Sequence, residues 1–298
     1  MGYVASPVSL TQLDPRYPSR LVGLPGAPAS ICWQGGSLEA GRAVAVVGAR
    51  HARDEAVAFA SEVANALVRA DAVVVSGGAL GIDAAAHVAA LAIGGRTWAV
   101  AGTGPSHCYP AAHSELFNSI AQGPGAMLWP FEGGGNRGAF LARNQVLVAL
   151  ADAVVVVQAG LRSGAVHAAS CAKTLGKPLW VVPAAPWMSD FAGSLKLIEE
   201  GARVLTSVES LLRSLPTVKG AAAGQPSLHT AADGSTYPFS DCESEVLDTI
   251  SQKPLHVDAI VTQVRRSAQA VTAALLTLAL ENVVVEGPPG LFRRPRAL

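Results

Sequence analysis

Glycine-rich turns follow several short apolar runs of this sequence, and some of these turns also carry an arginine. Glycine lets backbone N–H groups come close to an anion, and a helix that begins after such a turn points its positive end at that anion. A single turn of this kind is explained by a tight strand-to-helix connection, whereas several converging turns favour phosphate binding. The candidate residues are Gly48, Arg50, Ser76, Gly77, Gly78, Gly81, Gly102, Gly104, Arg162, Ser163 and Gly164.

Three arginines are expected on the rim that these turns form. Arg50 and Arg162 lie in the turns themselves, and Arg143 lies in the segment after the fourth apolar run. A guanidinium group presents a planar fork of donors that matches a pair of phosphate oxygens. The glycine turns and the arginines together predict a site that grips phosphate.

The turns meet at one place only if the apolar runs form a parallel sheet. From residue 43 onward, apolar runs alternate with segments of helical periodicity, which is typical of a parallel sheet with helices on both faces. The runs lack polar alternation, so both faces of each strand are predicted to be buried. Ligands bind beyond the carboxyl ends of the strands in such a sheet, where these turns lie. Strands are predicted at Ala43–Val47, Ala72–Val75, Thr97–Ala101, Ala126–Trp129, Ala153–Val157 and Pro178–Val182, a helix at Asp54–Arg69, and further helices from near Asp83, Ser114, Phe140 and Ala165.

Four regions are predicted along the chain. Residues 1–36 form an N-terminal lead-in, which is rich in Pro and Gly and is expected to pack on the sheet. Residues 37–215 form the α/β core. Residues 216–240 form a flexible linker, because their Ala, Gly, Ser, Thr and Pro bury too little apolar surface to order the segment. Residues 241–298 form a small winged-helix domain, with helices at Ser244–Ser251, Val257–Arg265 and Ala268–Asn282 before a hairpin of Val283–Val285 and Leu291–Arg293.

The composition limits the choice of partner and compartment. Lys+Arg and Asp+Glu balance at 22 each, so phosphate affinity must come from a local cluster rather than from net charge. No apolar run approaches the roughly 20 residues that span a bilayer, so a cytoplasmic location and no membrane partner are expected. No C-x-x-C pair is present, so neither a disulfide framework nor a zinc site is predicted for Cys32, Cys108, Cys171 and Cys242.

Other motifs count against several kinds of chemistry. The glycines of residues 133–138 satisfy G-x-G-x-x-G, but no acidic residue ends the next strand, so this stretch is interpreted as a flexible loop. No P-loop and no G-x-S-x-G elbow is present, so Ser76 and Ser163 are not candidates for a nucleophile. Asp83 is expected to cap or brace its own helix. Neither a metal site nor a cofactor is predicted.

Longer strings of residues surround the glycine turns. The most specific is S-G-G-A-L-G-I-D-A-A-A-H at Ser76–His87, and the others are Val47–Arg50, Gly102–Gly104 with Tyr109–Pro110, Phe140–Asn144 and Arg162–Gly164. In order and spacing, these strings resemble the DNA-processing protein A family, which is also called DprA or Smf. The resemblance runs from Tyr17–Pro18 to Gly201–Ala202 and continues into the predicted winged helix.

The resemblance implies an extended Rossmann-like core that holds single-stranded DNA by its phosphates. It also implies a homodimer that loads the RecA recombinase onto incoming DNA during natural transformation, with no catalysis and no cofactor. Phe140 would either stack on a base or belong to the core, since a phenylalanine that begins an apolar helix is often buried. The residues implied to cradle phosphates or line the same pocket are Gly48, Arg50, Ser76, Gly77, Gly81, Arg143 and Asn144.

The sequence departs from the family pattern at several positions. Gln145 stands where the family has arginine, which would remove one cation from the pocket. Gln158 stands where an acidic residue is common, Ala168 where threonine is expected, and Pro183–Ala184 where Pro-Gly is usual. The winged helix has five arginines that could meet a phosphate backbone or keep the end of the chain soluble, namely Arg265, Arg266, Arg293, Arg294 and Arg296.

An enzyme is the alternative function, specifically a nucleotide-binding phosphoribohydrolase of the lysine-decarboxylase-like group, which shares a related Rossmann core. Such enzymes carry a Pro-Gly-Gly-x-Gly-Thr loop followed by a glutamate. The nearest equivalent in this chain, Arg162–His167, lacks both the run of glycines and the acid. The sequence therefore favours binding over catalysis, and release of free base from nucleoside monophosphates would indicate the enzyme.

Overall fold

The computed structural model describes residues 6–215, 228–230, 236–238, 241–251, 253–280, 283–288 and 290–294. The chain divides into two compact units, with the boundary between residues 218 and 219. The first unit is built on a nine-stranded sheet. None of the helices in the described ranges combines the length and the apolar character that crossing a bilayer requires.

The large sheet is mostly parallel. Its spatial order is β1-β2-β6-β5-β4-β3-β7-β8-β9, in which β3 to β9 run parallel and β1 and β2 pair antiparallel at one edge. All six predicted strands are confirmed to within one residue at either end. The strands are β1 Val8–Thr11, β2 Ser30–Gly35, β3 Arg42–Val47, β4 Ala72–Ser76, β5 Thr97–Val100, β6 Ala126–Trp129, β7 Ala153–Val156, β8 Leu179–Val181 and β9 Arg203–Val204.

Seven α-helices belong to the described part of the first unit. The helix predicted at Asp54–Arg69 is confirmed, whereas the helix predicted from Phe140 begins three residues earlier because the Asn136 side chain caps it by accepting from the Ala139 N–H. The helices are α1 Asp54–Arg69, α2 Ile82–Ala92, α3 Ser114–Gln122, α4 Arg137–Leu150, α5 Gly164–Thr174, α6 Ala192–Glu199 and α7 Val208–Ser214, with 3₁₀ turns at Ser19–Leu21, Ala111–His113 and Ser189–Phe191.

The two faces of the central strand β3 pack into different cores. Ala43, Ala45 and Val47 belong to the core that also holds the buried residues of α4 and α5, whereas Val44 and Val46 belong to the core of α1 and α2. All five residues are buried, so neither face of the strand has room for a polar side chain. The prediction of burial on both faces is confirmed, and it leaves only the ends of the strands for ligands.

The lead-in is joined to the core through both the sheet and a set of polar contacts. Its strands β1 and β2 extend the sheet, since β2 pairs antiparallel with β6. Arg20 Nη1 lies 2.5 Å from Asp152 Oδ1 and donates to the Leu150 carbonyl, while Nη2 donates to the Ala40 carbonyl at 3.0 Å. Asp152 Oδ2 accepts from the Ala43 N–H at 2.8 Å. The lead-in is therefore part of the sheet rather than a segment laid upon it.

The second unit is a winged helix, as predicted. Its helices α8 Asp241–Thr249, α9 Val257–Val264 and α10 Ala268–Leu280 enclose an apolar core with a sheet of order β12-β14-β13, formed by Leu255–His256, Leu291–Arg293 and Val285–Glu286. Within the predicted linker, β10 Leu228–Thr230 pairs antiparallel with β11 Thr236–Pro238. The rest of residues 216–240 lies outside the described residues, as do Asn282 of the predicted third helix and Arg296, so the boundaries of the linker stay a prediction.

Replacing Arg20 by alanine tests how strongly the lead-in is held. Arg20→Ala leaves the partly buried Asp152 carboxylate without its cation, so we expect the free energy of unfolding to fall by about 1–3 kcal/mol. Urea denaturation measures this change. The control is Arg16→Ala, which removes the more exposed pair with Asp14 and should change the free energy of unfolding less than Arg20→Ala does. Equal effects of the two substitutions would contradict the proposed role of Arg20.

Candidate functional site

The candidate site lies at the carboxyl ends of the parallel strands. β3 lies between β4 and β7. The chain builds the sheet on one side of β3 through β4, β5 and β6, and then crosses over to continue it on the other side with β7. A crevice opens at such a point in an open α/β sheet, and ligands bind there. A cleft at this edge, which we call the carboxyl-edge cleft, is lined by Arg50, Gly77, Ala79, Leu80, Tyr109, Pro110, Phe140 and Arg143.

Arg143, on α4, is the buried cation of the carboxyl-edge cleft. It is only 6% exposed. Its Nη1 donates to the Val100 carbonyl at 2.8 Å, whereas its Nε has no partner within the described residues. A buried donor that lacks an acceptor costs free energy, more so when it belongs to a charged group. The Arg143 guanidinium lines the cleft, so its positive charge favours an anion such as a phosphate there.

Asp83, in the first turn of α2, holds the loop of residues 77–81 that borders the cleft. We call this segment the glycine loop. Its Oδ2 accepts from the N–H groups of Gly77 at 3.1 Å and Ala79 at 3.3 Å. Asp83 thus braces the loop that leads into its own helix, as predicted, but it does not cap the helix. Among the described residues, no acceptor is present for the N–H groups of Leu80 and Gly81. These two donors lie at the N-terminus of α2, where an anion is favoured.

The charges around the cleft are not balanced. Burial raises the pKa of Asp83, against the opposing effects of the Arg143 charge and of the amide hydrogen bonds. Burial also lowers the pKa of Arg143, an effect that Asp83 opposes and that the positive charge of Arg50 reinforces. A guanidinium group nevertheless stays protonated in proteins. Arg50 and Arg143 therefore repel one another, and an anion bound between them would relieve this repulsion.

Two aromatic rings form one wall of the cleft. The centroids of Tyr109 and Phe140 are 5.4 Å apart, and their planes are inclined at 59°. Tyr109 is 51% exposed, whereas Phe140 is partly buried. A side chain at Gly102 would collide with the Phe140 ring, so this ring packs directly on the main chain after β5. The cleft thus combines cations with an apolar wall.

Gly77 is the place where the Arg143 guanidinium lies against the main chain of the glycine loop. A Cβ at this position would overlap the Arg143 guanidinium, with 2.6 Å to its Cζ. Contacts under 3.0 Å do not occur for real Cβ atoms, so the two groups could not keep their places. The glycine is therefore required for the close approach of the cation to the loop.

Gly48 and Gly81 bring the turns after β3 and β4 together. A side chain at Gly48 would collide with Ile82, and one at Gly81 would collide with the carbonyl of Ala49. Gly81 also has φ +75°, which side chains rarely adopt. The two glycines are explained by the contact between the turns, whether or not they also contact a phosphate.

Two further predicted residues, Ser76 and Gly78, are buried beneath the cleft. The Ser76 hydroxyl donates to the Val46 carbonyl at 2.6 Å and ties β4 to β3. A Cβ at Gly78 would lie 2.6 Å from the Phe117 ring. Neither residue appears in the lining of the cleft. They support the loop from below.

The loop after β5 also contains buried predicted residues that support the cleft without lining it. Gly102 and Gly104 are buried, and the Gly104 N–H donates to the Gly133 carbonyl at 2.6 Å. This bond joins the turn after β5 to the glycine stretch of residues 133–138. These two predicted residues therefore hold loops together and do not line the cleft.

The predicted residues around the start of α5 lie apart from the cleft lining. Asn144 is buried, and its Nδ2 donates to the Gly164 carbonyl at 3.0 Å. The Ser163 hydroxyl oxygen accepts from the Val166 N–H and caps α5, and Arg162 is exposed. The structure thus gathers Arg50, Gly77, Phe140 and Arg143 in one cleft and places the residues of the α5 turn beside it.

Gln145 and Gln158 are explained by contacts outside the cleft. Gln145 Nε2 donates to the Pro25 carbonyl at 2.9 Å, in a groove between α4 and α5, so the prediction that it removes a cation from the pocket is wrong. Gln158 is 1% exposed, accepts from the Arg53 N–H and donates to Asp190 Oδ2, each at 3.0 Å. A carboxylate at 158 would face Asp190 with no donor between them, so an amide suits this position.

His87, the last residue of the most specific string, belongs to the core. The Thr97 hydroxyl donates to the Val74 carbonyl, so it must accept the proton of His87 Nδ1 at 2.7 Å. Burial, with smaller effects of His113 and Arg143, lowers the pKa of His87 to about 3. The imidazole is therefore neutral at neutral pH. It joins α2 to the sheet and does not reach the cleft.

The arginines of the winged helix make internal contacts. Arg266 pairs with Glu245 at 2.8 Å, and Arg294 donates to the carbonyls of Leu247 and Ile250 at the end of α8. A guanidinium at this position satisfies carbonyls that the helix leaves unpaired. Both residues therefore stabilise the unit itself.

The surfaces with which winged helices contact DNA are poor in positive charge in this unit. α10, the third helix, contains no charged residue, and β13 ends with Glu286, whose carboxylate accepts from the Gly290 N–H in the turn before β14. Residues 241–298 contain six Lys and Arg against seven Asp and Glu, so the unit has no cationic excess to attract phosphates. A structural role is favoured for its arginines, although Arg296 lies outside the described residues.

Tyr109 and Pro110 line the cleft without a role predicted from the sequence. Their only signal is their place in one of the family-like strings, because a Tyr-Pro pair by itself indicates no site. The segment between β5 and α3 brings them to the cleft. Across the described ranges, no group of three or more His, Cys, Asp or Glu side chains is arranged to hold a metal ion.

Comparison with known families assigns both units. The family model for DNA recombination-mediator protein A matches residues 9–216, and the model for the DprA winged helix domain matches residues 229–290. The chain belongs to the DprA/Smf family. The family predicted from the strings of residues is confirmed, and so is the fold of an α/β core with a C-terminal winged helix.

Individual relatives agree with this assignment. Protein Smf from Synechocystis sp. is 32% identical over a match that covers 97% of this chain and 80% of that protein. The structure of DNA processing protein A from Streptococcus pneumoniae has a TM-score of 0.66 and 33% identity, covering 70% of this chain and 75% of that one. DNA processing protein A from Helicobacter pylori, solved for its single-stranded DNA binding mode, has a TM-score of 0.63 and 28% identity, covering 70% and 94%.

Substitution of Gly77 tests the packing of the DprA-family cleft. In Gly77→Ala the new methyl group must displace the Arg143 guanidinium, so we expect the free energy of unfolding to fall by about 1–3 kcal/mol. Urea denaturation again measures the change. The control is Gly160→Ala, because a Cβ at Gly160 meets no described atom within 4 Å and φ is not positive there. A Gly77→Ala protein as stable as the control would show that Arg143 does not occupy this place.

Proposed function

We propose that this DprA-family chain binds single-stranded DNA in the carboxyl-edge cleft and performs no covalent chemistry on it. The observation that carries the proposal is Arg143, a buried cation that lines the cleft together with Arg50 and whose charge is disfavoured by Arg50. A phosphodiester supplies both an acceptor and a negative charge, and it does so as an intact link of a DNA strand. Phosphate is thus the ligand that best completes this site.

Three kinds of donor would act on the phosphate. Arg50 is exposed at the rim and provides a mobile cation, while Arg143 provides a fixed one. The N–H groups of Leu80 and Gly81 add the N-terminus of α2. Contacts of these donors with the phosphates of DNA carry no base specificity, which suits a protein that must accept any sequence. The H. pylori relative, which is described for binding single-stranded DNA, supports the choice of polymer.

The hydroxyl and carboxyl groups near the cleft support binding rather than catalysis. The Ser76 hydroxyl donates to a main-chain carbonyl, the Ser163 hydroxyl caps a helix, and Asp83 is buried and held by two amides. Although the Asp83 carboxylate lies beside Ser76, the Ser76 hydroxyl gives its proton to the Val46 carbonyl, so it is not activated as a nucleophile. We therefore prefer the binding function to the phosphoribohydrolase.

The wider role of the chain is proposed from its family. We propose that it delivers the bound strand to the RecA recombinase during natural transformation, acts as a homodimer and works in the cytoplasm. The predicted contributions of Gly48, Ser76, Asn144, Arg162 and the other turn residues to DNA binding also remain proposals. Because α10 of the winged helix carries no charged residue, we place the main DNA affinity in the core.

Removal of the rim cation tests the proposed site. We expect Arg50→Ala to weaken binding of oligo-dT about three- to tenfold in low salt and to reduce the slope of log K against log salt by about 0.7, because one phosphate contact is lost. Fluorescence anisotropy titrations at several salt concentrations measure both quantities. Arg50 is exposed, so the fold should be unaffected.

Arg69→Ala is the matched control, because Arg69 is exposed at the opposite end of α1 from the cleft. It should leave the affinity and the slope unchanged. The double variant Arg50→Ala with Arg143→Ala should bind more weakly than Arg50→Ala, with its folding checked by circular dichroism. Unchanged affinity in the double variant, or failure of the unmodified protein to bind oligo-dT at low salt, would refute the proposed function.

A further inference from the structure

Tyr109 is the most accessible aromatic ring of the carboxyl-edge cleft. It is 51% exposed, whereas Phe140, the other aromatic residue of the lining, is partly buried. An exposed ring gains from contact with another flat apolar surface, because both surfaces then leave water. Tyr109 therefore has a free surface that the fold does not use.

Phe140 supports Tyr109 and has little surface to offer a ligand. A side chain at either Gly102 or Gly135 would touch the Phe140 ring, with 3.4 Å to its Cε2 in the case of Gly135. The ring is thus held between two stretches of main chain and packs against Tyr109. Both rings line the cleft, but Phe140 is committed to packing and Tyr109 is the more accessible of the two.

The segment that carries Tyr109 is fixed to its surroundings at both ends. On one side, the Thr103 hydroxyl donates to the His107 carbonyl at 2.6 Å. On the other side, His113 Nδ1 lies 2.9 Å from the Gly78 carbonyl and joins the segment to the glycine loop. A ring held in place before the ligand arrives loses little conformational entropy on binding.

The position of the ring relative to the cations determines what it can contact. Tyr109 shares the cleft with Arg50 and Arg143. When these arginines hold a phosphate of the strand, the base of that nucleotide or of the adjacent nucleotide comes to lie at the aromatic wall. The faces of a base are free for such contact only in a strand that is not stacked in a duplex, and every base has such a face.

We propose that Tyr109 stacks on an unpaired nucleobase of the strand whose phosphate the arginines hold, and that this contact makes the cleft selective for single strands. The proposal rests on the proposed function, and it names the residue and the part of the nucleotide that distinguish a single strand from a duplex. Stacking on one base accounts for about a tenfold or larger gain in affinity.

The test compares Tyr109 variants of the full chain on two ligands of equal length, oligo-dT and an abasic oligodeoxyribose phosphate. The unmodified protein should bind oligo-dT about tenfold more tightly than the abasic strand. Tyr109→Ala and Tyr109→Leu should lose this preference by binding oligo-dT more weakly, with the abasic affinity and the salt slope unchanged. Tyr109→Phe keeps the ring and should keep the preference.

Trp187→Ala is the matched control, since Trp187 is an 85% exposed aromatic residue that does not line the cleft. It should behave as the unmodified protein does. If Tyr109→Ala keeps the full preference for oligo-dT over the abasic strand, the stacking role is refuted while the phosphate site stands. If the unmodified protein binds neither ligand at low salt, the proposed function itself fails. Loss of affinity for both ligands in Tyr109→Ala would assign the residue to the phosphate site and overturn its role with the base.

Discussion

A guanidinium group held out of water at the carboxyl edge of the sheet is the constraint on which the site depends. Arg143 is buried although it is charged, and its burial is costly because the desolvation of an ion is only partly repaid by its partners. The Val100 carbonyl takes one of its donors, and the charge of Asp83 favours its ionised form. What remains is an excess of positive charge beside Arg50, which a bound phosphate would neutralise.

The glycines of the site follow from this constraint. Gly77 has no side chain because the Arg143 guanidinium occupies the space, and Gly81 has none because the turn after β3 lies against it. The amides of Gly77 and Ala79 bind Asp83, so they orient the loop and are not open to a ligand. Most of the glycine pattern therefore reflects packing between turns, and fewer backbone donors than glycines face the cleft.

A chain with no net charge can still carry a local cluster of cations that favours an anion. Two arginines and the start of α2 act at short range in one cleft, where the low dielectric strengthens their effect. In the winged helix, Arg266 instead pairs with Glu245, and Arg294 satisfies the carbonyls at the end of α8. Counting basic residues along the sequence does not distinguish these two uses.

The sequence by itself determined the strands, the helix at Asp54–Arg69, the winged helix and the family, because apolar periodicity and short strings of residues are local properties of the chain. It also indicated the edge at which the turns converge, since parallel strands put their carboxyl ends together. Only the tertiary structure decided which predicted residues share the cleft, because that depends on burial and on contacts between turns far apart in sequence. Ser76 and Gly102 turn out to be buried supports, and Gln145 lies in another groove. Tyr109 lines the cleft as an exposed ring in contact with Phe140.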